Sequence, residues 1–363
     1  MPAAAPARRH FPLLDVARCV AISMVIVHHV GFRFADLVPD IVGRFFWGVG
    51  WAGVDVFFVI SGFLITDILM RSSGVHATRA FFVNRAFRII PLYAAAVTLY
   101  VLVASARGTD RDLSQIWWSA LFLTGWAIPF VGVEHVPYTI TWSLSVEESA
   151  YVLFAIVAGL WRARLPAMLW ATVVVSFALR ALLVSTGTFG PNEVYYFPPT
   201  RIDSIAFGGL IAVGVIKAGA RYRFLAAMAG VAGVFLWFFA KGQYNATVAI
   251  LGYTALPVAV AYLCAHLIQR VHMPQRIPRL LAHIGQRSYF IYLFHVFVIG
   301  ALSLPYFRPF ASAVGFWGTS VAVLAVTLAL AEVSWRFFEY PLIRFGRDLS
   351  SRVNPAIEFR RPV

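Results

Sequence analysis

Charged residues are scarce in this sequence of 363 residues: Asp, Glu, Lys and Arg together make up 13%. Soluble globular domains carry about 25%, so the composition excludes a soluble enzyme. Hydrophobic residues reach 60%, and the mean hydropathy is +0.77. Because Trp, Tyr and Phe are spread along the whole length, no polar half is left for a water-soluble domain. The composition therefore predicts one integral-membrane domain over residues 1–363.

The sequence has only two cysteines, Cys19 and Cys264. Both lie in apolar stretches, far apart and without a partner motif, so there is no basis for a disulfide framework or a cysteine metal site. A Walker loop, a zinc signature and a nucleophile elbow are also absent from the sequence. We therefore expect no metal and no permanently bound cofactor.

Acidic residues are few, 16 against 30 Lys and Arg, which gives a net charge of +14. On a soluble chain such an excess is typical of nucleic-acid binding. Here most Lys and Arg flank apolar segments, where cytoplasmic loops and lipid head groups account for them. We expect the lipid bilayer as a partner and no nucleic acid.

What the sequence has in abundance is long apolar runs. A membrane-spanning helix needs roughly 20 such residues. Eleven runs are candidates: 13–30, 45–70, 80–104, 116–133, 142–160, 166–184, 202–216, 224–240, 246–267, 284–304 and 311–333. They predict an all-α fold, a polytopic transmembrane helical bundle.

The distribution of Lys and Arg indicates how many of these runs cross the membrane, because cytoplasmic loops are enriched in both. All the basic regions fall on one side only if one run between Arg88 and Arg162 fails to cross. The run 116–133 is short and interrupted by Gly125 and Pro129, so we expect it to be re-entrant or buried against protein. This predicts about ten spans, with residues 1–10 and a short tail, 345–363, in the cytoplasm.

Polar residues inside apolar runs are costly, which makes each one a functional candidate. In the first run, Arg18 and His29 lie within about 20° of each other on one helical face, whereas His28 points about 100° away. The alternative is structural. In that case Asp15 pairs with Arg18, and His29 is a hydrogen-bonded interior residue.

Five further polar residues stand in or beside apolar runs. Asp55, among Val and Phe, requires a cationic or donor partner. Ser61 follows in a glycine-containing stretch, where small residues also permit close helix packing. Arg201 and Asp203 open a later run, and His295 lies in another.

Two groups combine charges that could act together. Ser145, Glu147 and Glu148 enter an apolar run, where a carboxylate can serve as a general acid or base; the alternative is an Arg partner on a neighbouring helix. Arg85 and Arg88 are three positions apart and share a helical face. They can hold a phosphate group, or they can be an ordinary cytoplasmic anchor.

Taken in order, these motifs resemble those of the acyltransferase 3 family of bacterial integral-membrane O-acyltransferases. The resemblance covers about residues 11–344, and five motifs carry it: Arg18 with His29, the stretch 53–63, Arg85 with Arg88, the stretch 142–148, and the stretch 288–295 that ends in His295. Ser149 departs from the family pattern, in which Gln or another larger polar residue often follows the Glu pair.

The resemblance implies transfer of an acyl group, usually acetyl, from cytoplasmic acyl-CoA to a hydroxyl of a glycan, a lipid-linked saccharide or a small acceptor. It also implies the bacterial inner membrane as location and a stand-alone form without a fused extracytoplasmic domain. Such a reaction needs a base for the acceptor hydroxyl, and His29 is the best candidate because His titrates near neutrality.

The other residues then have expected roles around this base. A carboxylate of Glu147 or Glu148 would orient His29, Arg18 would orient the pocket, and Arg85 with Arg88 would hold the CoA phosphates. Direct transfer and an acyl-histidine intermediate both stay open. The rival function is a proton-coupled transporter or flippase with a His, Glu and Arg relay, which predicts inverted repeats that the sequence does not show.

Overall fold

The computed structural model describes residues 10–71, 75–108, 113–219, 221–269 and 276–353. Throughout these ranges the chain is mainly helical, and no β-strand occurs in them. The predicted all-α class is confirmed. The expected cytoplasmic N-terminal segment falls outside the described residues except for His10, as does the end of the tail beyond residue 353.

The described part of the chain contains sixteen α-helices. In chain order they are α1 Pro12–Arg33, α2 Ile41–Val49, α3 Gly53–Arg71, α4 Val75–Arg107, α5 Ile116–Ala120, α6 Thr124–Val131, α7 Trp142–Trp161, α8 Leu165–Ser185, α9 Pro191–Tyr196, α10 Ile202–Ala212, α11 Arg221–Lys241, α12 Tyr253–Gln269, α13 Arg276–Gln286, α14 Ser288–Leu302, α15 Arg308–Ser334 and α16 Tyr340–Val353.

Seven stretches within the described residues are long and apolar enough to cross a membrane. One of them, Thr139–Ser185, contains two helices, α7 and α8, and two shorter apolar helices, α10 and α14, lie elsewhere. A helix therefore stands at each of the ten runs expected to cross. The polytopic helical bundle is confirmed, whereas the number of crossings and their direction stay predictions.

The run 116–133 does not form one helix. It folds into α5 and α6, of 5 and 8 residues, and at 1.5 Å per residue neither can cross a bilayer. The expected breakpoints were wrong, because Gly125 and Pro129 both lie inside α6. The break occurs instead at Phe122, which has a left-handed backbone with φ of 59°.

Gly125 serves a close contact rather than a helix break. Its backbone N–H donates to Ser145 Oγ of α7 at 3.1 Å, and a Cβ at this position would lie 2.7 Å from the carbonyl oxygen of Tyr196. Only glycine fits such an approach without displacing backbone. The short helix α6 is thereby fixed against α7, which carries the two adjacent glutamates.

Helices α3 and α10 pack with their backbones in direct contact. A Cβ on Gly62 would lie 1.8 Å from the carbonyl oxygen of Ile205, and a Cβ on Gly208 would lie 2.0 Å from that of Val59. Small residues at helix interfaces permit this approach in membranes. The contact brings the start of α3 beside the start of α10, where the buried charges lie.

The first part of the expected tail, residues 345–353, is helical. Helix α16 continues to Val353 and packs along the first half of α4, where Asn84 Nδ2 donates to Ser350 Oγ at 2.8 Å. A Cβ on Gly346 would lie 2.5 Å from Phe87 Cβ, so the two helices are in close contact. The first part of the tail is thus an ordered element beside Arg85 and Arg88.

Candidate active site

His29 and His295 face each other across the α1 and α14 interface, and we call them the histidine pair. Their ring centroids are 4.9 Å apart, and His295 Nε2 lies 3.0 Å from His29 Nδ1. His29 Nδ1 is also 3.0 Å from the Val25 carbonyl oxygen. Both histidines are candidates from the sequence, but their contact was not predictable, since 266 positions separate them.

His28 points to a different neighbour, as its helical phase predicts. Its Nδ1 lies 2.8 Å from the Trp47 carbonyl oxygen of α2, and its ring packs edge-on against Phe32, with centroids 4.8 Å apart. The two adjacent histidines therefore have separate environments, and in the described part of the chain only His29 meets a histidine ring of another helix.

Arg18 forms the structural pair that was the alternative to a pocket role. Its NH1 lies 3.1 Å from Asp15 Oδ1. The other carboxylate oxygen of Asp15 contacts His10 Nε2 at 2.8 Å and Gln286 Nε2 at 3.2 Å. No contact between Arg18 and His29 is found among the described residues, so its expected role beside the base stays a prediction without geometric support.

The two adjacent glutamates meet Arg85 rather than a histidine. Arg85 NH2 lies 2.7 Å from Glu148 Oε1 and 4.0 Å from Glu147 Oε2. Ser61 Oγ and Tyr151 OH lie 3.1 and 2.8 Å from Glu147 Oε2, and the two hydroxyls also contact each other. We call Ser61, Arg85, Glu147, Glu148 and Tyr151 the carboxylate cluster.

The contacts of the carboxylate cluster bear on two expected roles. His295 is the side chain that lies against His29, at 3.0 Å, whereas the two carboxylates are turned toward α4 and α3, so an orienting role for Glu147 or Glu148 stays a prediction without a contact to support it. Arg85 is engaged by Glu148 and lies with its guanidinium carbon 3.4 Å from the centroid of the Tyr151 ring. Arg85 is thus paired with a carboxylate, and its expected role with Arg88 in holding the CoA phosphates stays a prediction.

A second group of charges lies deep in the bundle, and we call Asp55, Arg180, Arg201 and Asp203 the ion-pair network. Arg201 NH2 lies 2.8 Å from Asp55 Oδ1, and Arg180 NH2 lies 2.7 Å from Asp203 Oδ2. All four side chains are at most 1% exposed. Asp55 thus has the cationic partner that it requires.

The ion-pair network holds helices together, since opposite charges at full burial are matched one to one. Ser204 Oγ donates to Asp55 Oδ1 at 3.0 Å, and Thr254 of α12 donates to Asp203 Oδ2 at 3.2 Å. The network thereby joins α3, α8, α10 and α12. Arg180 was not among the residues predicted from the sequence, although an arginine inside the apolar run 166–184 was a sufficient signal.

Ser145 has a supporting position. It is fully buried, and its hydroxyl oxygen accepts the Gly125 N–H described above. It therefore fixes α6 against α7, two positions before Glu147. Within the described chain, no hydrogen bond from its side chain to the histidine pair or the carboxylate cluster is found. Its place among the candidate site residues stays a prediction.

Helix α14 connects the carboxylate cluster's surroundings with the histidine pair. Tyr289 OH donates to the Ile89 carbonyl of α4 at 3.1 Å, and Tyr292 OH donates to the Ile140 carbonyl beside α7 at 2.6 Å. His295 contacts His29 of α1. Tyr289, Tyr292 and His295 are spaced three residues apart, and each step of three residues falls about 60° short of a full helical turn. The three side chains therefore point in successively different directions and reach three different neighbours over a rise of about 9 Å.

Ser143 extends this connection toward the glutamates. Its hydroxyl donates to Tyr292 OH at 2.7 Å, because the Tyr292 proton is already directed at Ile140. Ser143 lies one helical turn before Glu147 on α7. Tyr289 and Tyr292 were not singled out from the sequence, where a tyrosine in an apolar run does not stand out from ordinary packing.

Within the described residues, no group of three or more His, Cys, Asp or Glu side chains is arranged to hold a metal ion. The arrangement offers a histidine with an oriented ring, paired carboxylates beside an arginine, and hydroxyl groups between them. These groups suit proton transfer and acyl chemistry.

Comparison with known proteins agrees with this chemistry. The acyltransferase 3 family, described as an acyltransferase domain, matches residues 11–335. YrhL of Bacillus subtilis (strain 168), a candidate peptidoglycan O-acetyltransferase, is 30% identical over 95% of this chain and 57% of its own length. Peptidoglycan O-acetyltransferase OatA of Listeria monocytogenes serovar 1/2a (strain ATCC BAA-679 / EGD-e) is 26% identical over 93% of this chain and 57% of its own length.

SACOL0978 of Staphylococcus aureus (strain COL), a candidate O-acetyltransferase, is 23% identical over 93% of this chain and 58% of its own length. The chain therefore spans less than two thirds of the length of these relatives. No solved structure matches it. Since one family covers residues 11–335 and includes the histidine pair, the carboxylate cluster and the ion-pair network, the chain belongs to the acyltransferase 3 family.

Proposed function

We propose that this chain is a membrane O-acyltransferase that moves an acyl group, acetyl in the simplest case, from cytoplasmic acyl-CoA to a hydroxyl of a glycan. Family membership and relatives named peptidoglycan O-acetyltransferase support this activity and favour peptidoglycan as the acceptor. The observation that carries the proposal is the histidine pair, because it lies within the acyltransferase domain and holds His29 in a fixed orientation.

In the proposed reaction His29 is the general base. The acceptor hydroxyl gives its proton to His29 as its oxygen attacks the thioester carbonyl carbon, and a new carbon–oxygen bond forms. The carbon–sulfur bond then breaks, and the leaving CoA sulfur takes the proton from His29. The ester and free CoA are the products, and the histidine returns to its neutral form. A positioned base of this kind contributes about 10²- to 10⁴-fold in rate.

The donor end of the site lies at the first half of α4, where Arg88 and Arg85 are the candidate phosphate ligands. Arg85 is also bound to Glu148, although its Nε has no hydrogen-bond partner within the described part of the chain. Acyl-CoA as donor and the cytoplasmic side of entry are parts of the proposal.

The test uses purified protein in lipid nanodiscs with radiolabelled acetyl-CoA and soluble peptidoglycan fragments. His29→Ala should reduce transfer by about 10²- to 10⁴-fold, whereas His28→Ala should keep most of it. The control is matched because the two histidines are adjacent in α1 and differ only in the face they occupy. Rates are expressed per mole of folded protein, since either variant loses a hydrogen bond.

Three results would overturn the proposal. If His29→Ala still transfers acetyl at a near-normal rate, His29 is not the general base. If His28→Ala is inactive while His29→Ala is active, the base lies on the other face of α1. A wild-type protein that never acetylates a glycan, but moves protons or a saccharide across a sealed vesicle membrane, would instead identify a transporter.

A further inference from the structure

The contacts of the histidine pair determine which ring nitrogens carry protons. His295 Nδ1 lies 2.6 Å from the Tyr292 carbonyl oxygen and 3.1 Å from that of Ile291. A carbonyl oxygen only accepts hydrogen bonds, so His295 Nδ1 must be an N–H donor. In a neutral imidazole the other nitrogen then has a lone pair. His295 Nε2 is therefore an acceptor, and it faces His29.

The same reasoning extends to His29. Its Nδ1 is 3.0 Å from His295 Nε2 and 3.0 Å from the Val25 carbonyl oxygen, and both of these atoms accept. His29 Nδ1 must therefore carry the proton, which leaves the lone pair on Nε2. The opposite neutral assignment would direct lone pairs of both rings at carbonyl oxygens. Only one neutral assignment satisfies all four contacts.

We infer that His295 is a positioning residue that fixes His29 in the Nδ1–H form and so makes His29 Nε2 the atom that takes the acceptor proton. The inference rests on the proposed function for its catalytic meaning. Its basis in the geometry is separate, because it depends only on the contacts of two rings and three backbone carbonyls.

His295 adds something that the α1 backbone alone does not supply. The Val25 carbonyl lies four positions before His29, where it also accepts the helical backbone N–H of His29. The Val25 carbonyl is therefore shared between the backbone N–H and the ring Nδ1–H of His29, and it directs Nδ1 only toward the axis of α1. His295 reaches the same N–H from α14 and is itself fully buried. The ring of His29 is thereby held between two helices, which fixes the direction of Nε2.

The pair also fits the state that follows proton transfer. When Nε2 takes the proton of the acceptor hydroxyl, His29 becomes an imidazolium while its Nδ1–H continues to donate to His295 Nε2. No ring needs to flip and no other proton moves. The hydrogen bond becomes charge-assisted at this moment and strengthens. Groups already arranged for a developing charge lower the barrier because they need no reorganisation.

Three variants at one position separate an acceptor from a space-filling ring. His295→Gln can place its amide oxygen against His29 Nδ1–H and its amide N–H toward the Tyr292 carbonyl. His295→Phe keeps a ring of similar shape but has no acceptor. His28→Phe is the matched control, since it removes a buried ring nitrogen at an adjacent position of α1 that faces α2.

The expected order of kcat among these variants depends on whether residue 295 offers a hydrogen-bond acceptor to His29 Nδ1–H. A hydrogen bond to a charged group contributes about 1.5 to 3 kcal/mol, so His295→Phe should lower kcat by about ten- to 150-fold. The KM for acetyl-CoA should change little, because the base does not bind the donor phosphates. His295→Gln should recover most of the lost kcat, and His28→Phe should keep kcat near the wild-type value.

A spectroscopic measurement tests the proton positions without any activity. In wild-type protein with ¹⁵N-labelled histidine rings in nanodiscs, the signals lost in His29→Asn identify His29. They should show a protonated Nδ1 and an unprotonated Nε2 at neutral pH. In His295→Phe the His29 signals should broaden toward a mixture of both tautomers.

The inference is overturned if wild-type His29 carries its neutral proton on Nε2, or if His295→Gln is as slow as His295→Phe. Wild-type kcat in His295→Phe would overturn it as well. Failure of the proposed function looks different. In that case the wild-type protein transfers no acetyl group, while the ¹⁵N signals still decide whether His295 sets the tautomer of His29.

Discussion

The Asp55–Arg201 pair allows a quantitative test of what the ion-pair network does. The charged atoms are 2.8 Å apart, and the side chains are 1% and 0% exposed. At an effective dielectric constant of about 20, Coulomb's law gives an attraction of about 6 kcal/mol. Burying each ion costs several kcal/mol. The intact pair therefore contributes little net stability, but a lone member of it is expensive.

The perturbation is a double-mutant cycle with Asp55→Leu, Arg201→Met and the combined variant. Asp55→Leu leaves the Arg201 guanidinium buried without its carboxylate, and Nε and NH1 of Arg201 have no hydrogen-bond partner among the described residues. We expect either single change to lower the free energy of unfolding by about 3 to 5 kcal/mol. The combined variant removes both charges and should lose less than either single variant.

The assay is denaturant unfolding in detergent micelles, followed by tryptophan fluorescence, with folded yield as a second readout. A control pair lies on the same helix. Arg71 NH2 is 2.8 Å from Asp67 Oδ1, but these side chains are 32% and 21% exposed. Exposed pairs at this spacing contribute about 0.2 to 1 kcal/mol, so Asp67→Asn should have little effect on unfolding.

Additivity would refute this reasoning. If the combined variant loses the sum of the two single losses, then Asp55 and Arg201 do not act as a pair and each has a separate partner. The burial argument would also fail if Asp67→Asn cost as much as Asp55→Leu, because the two pairs have the same distance and differ in exposure.

Three further predictions follow from other parts of the molecule. Gly62→Ala should sharply reduce the folded yield measured by size-exclusion chromatography, because the new Cβ would meet backbone at 1.8 Å. The hydrogen bond from Arg308 lowers the pKa of the exposed Asp36. The ion pair of Asp36 with Arg308 should therefore stabilise the fold at neutral pH, and this stabilisation should disappear as the pH falls through the lowered pKa of Asp36. The measurement is the unfolding temperature of wild type and of Asp36→Asn, which should converge at low pH. Arg88→Ala should weaken acetyl-CoA binding, measured by calorimetry.

The helical bundle was predictable because spanning is a local property of the sequence. A run of about 20 apolar residues is forced to be helical in lipid, since its backbone groups have no other hydrogen-bond partners. Each of the ten runs expected to cross accordingly contains a helix. The break in the run 116–133 was misplaced because Gly125 and Pro129 are helix breakers only by average tendency. Close contact with α7 holds Gly125 inside a helix.

The sequence predicts which type of partner a buried polar residue needs, but not which residue of the chain provides it. The cost of an unpaired intramembrane charge requires that Asp55 have a cation, and this expectation is confirmed. That the cation is Arg201, 146 positions away, depends on the packing of α3 against α10. The histidine pair and the Arg85–Glu148 contact depend on long-range packing in the same way. A sequence without aligned relatives contains no signal for such distances.

The carboxylates beside Arg85 affect its expected role as a phosphate ligand. Arg85 faces two carboxylates, Glu148 at 2.7 Å and Glu147 at 4.0 Å. If both are ionised, the three groups together carry a net charge of −1, which repels an anionic donor. In that state the positive charge of Arg85 is already balanced within the carboxylate cluster, so Arg85 alone attracts a phosphate group only weakly. Loss of Arg85 would leave two uncompensated carboxylates beside Tyr151 and Ser61, and its first effect should be on folding and on the position of α7.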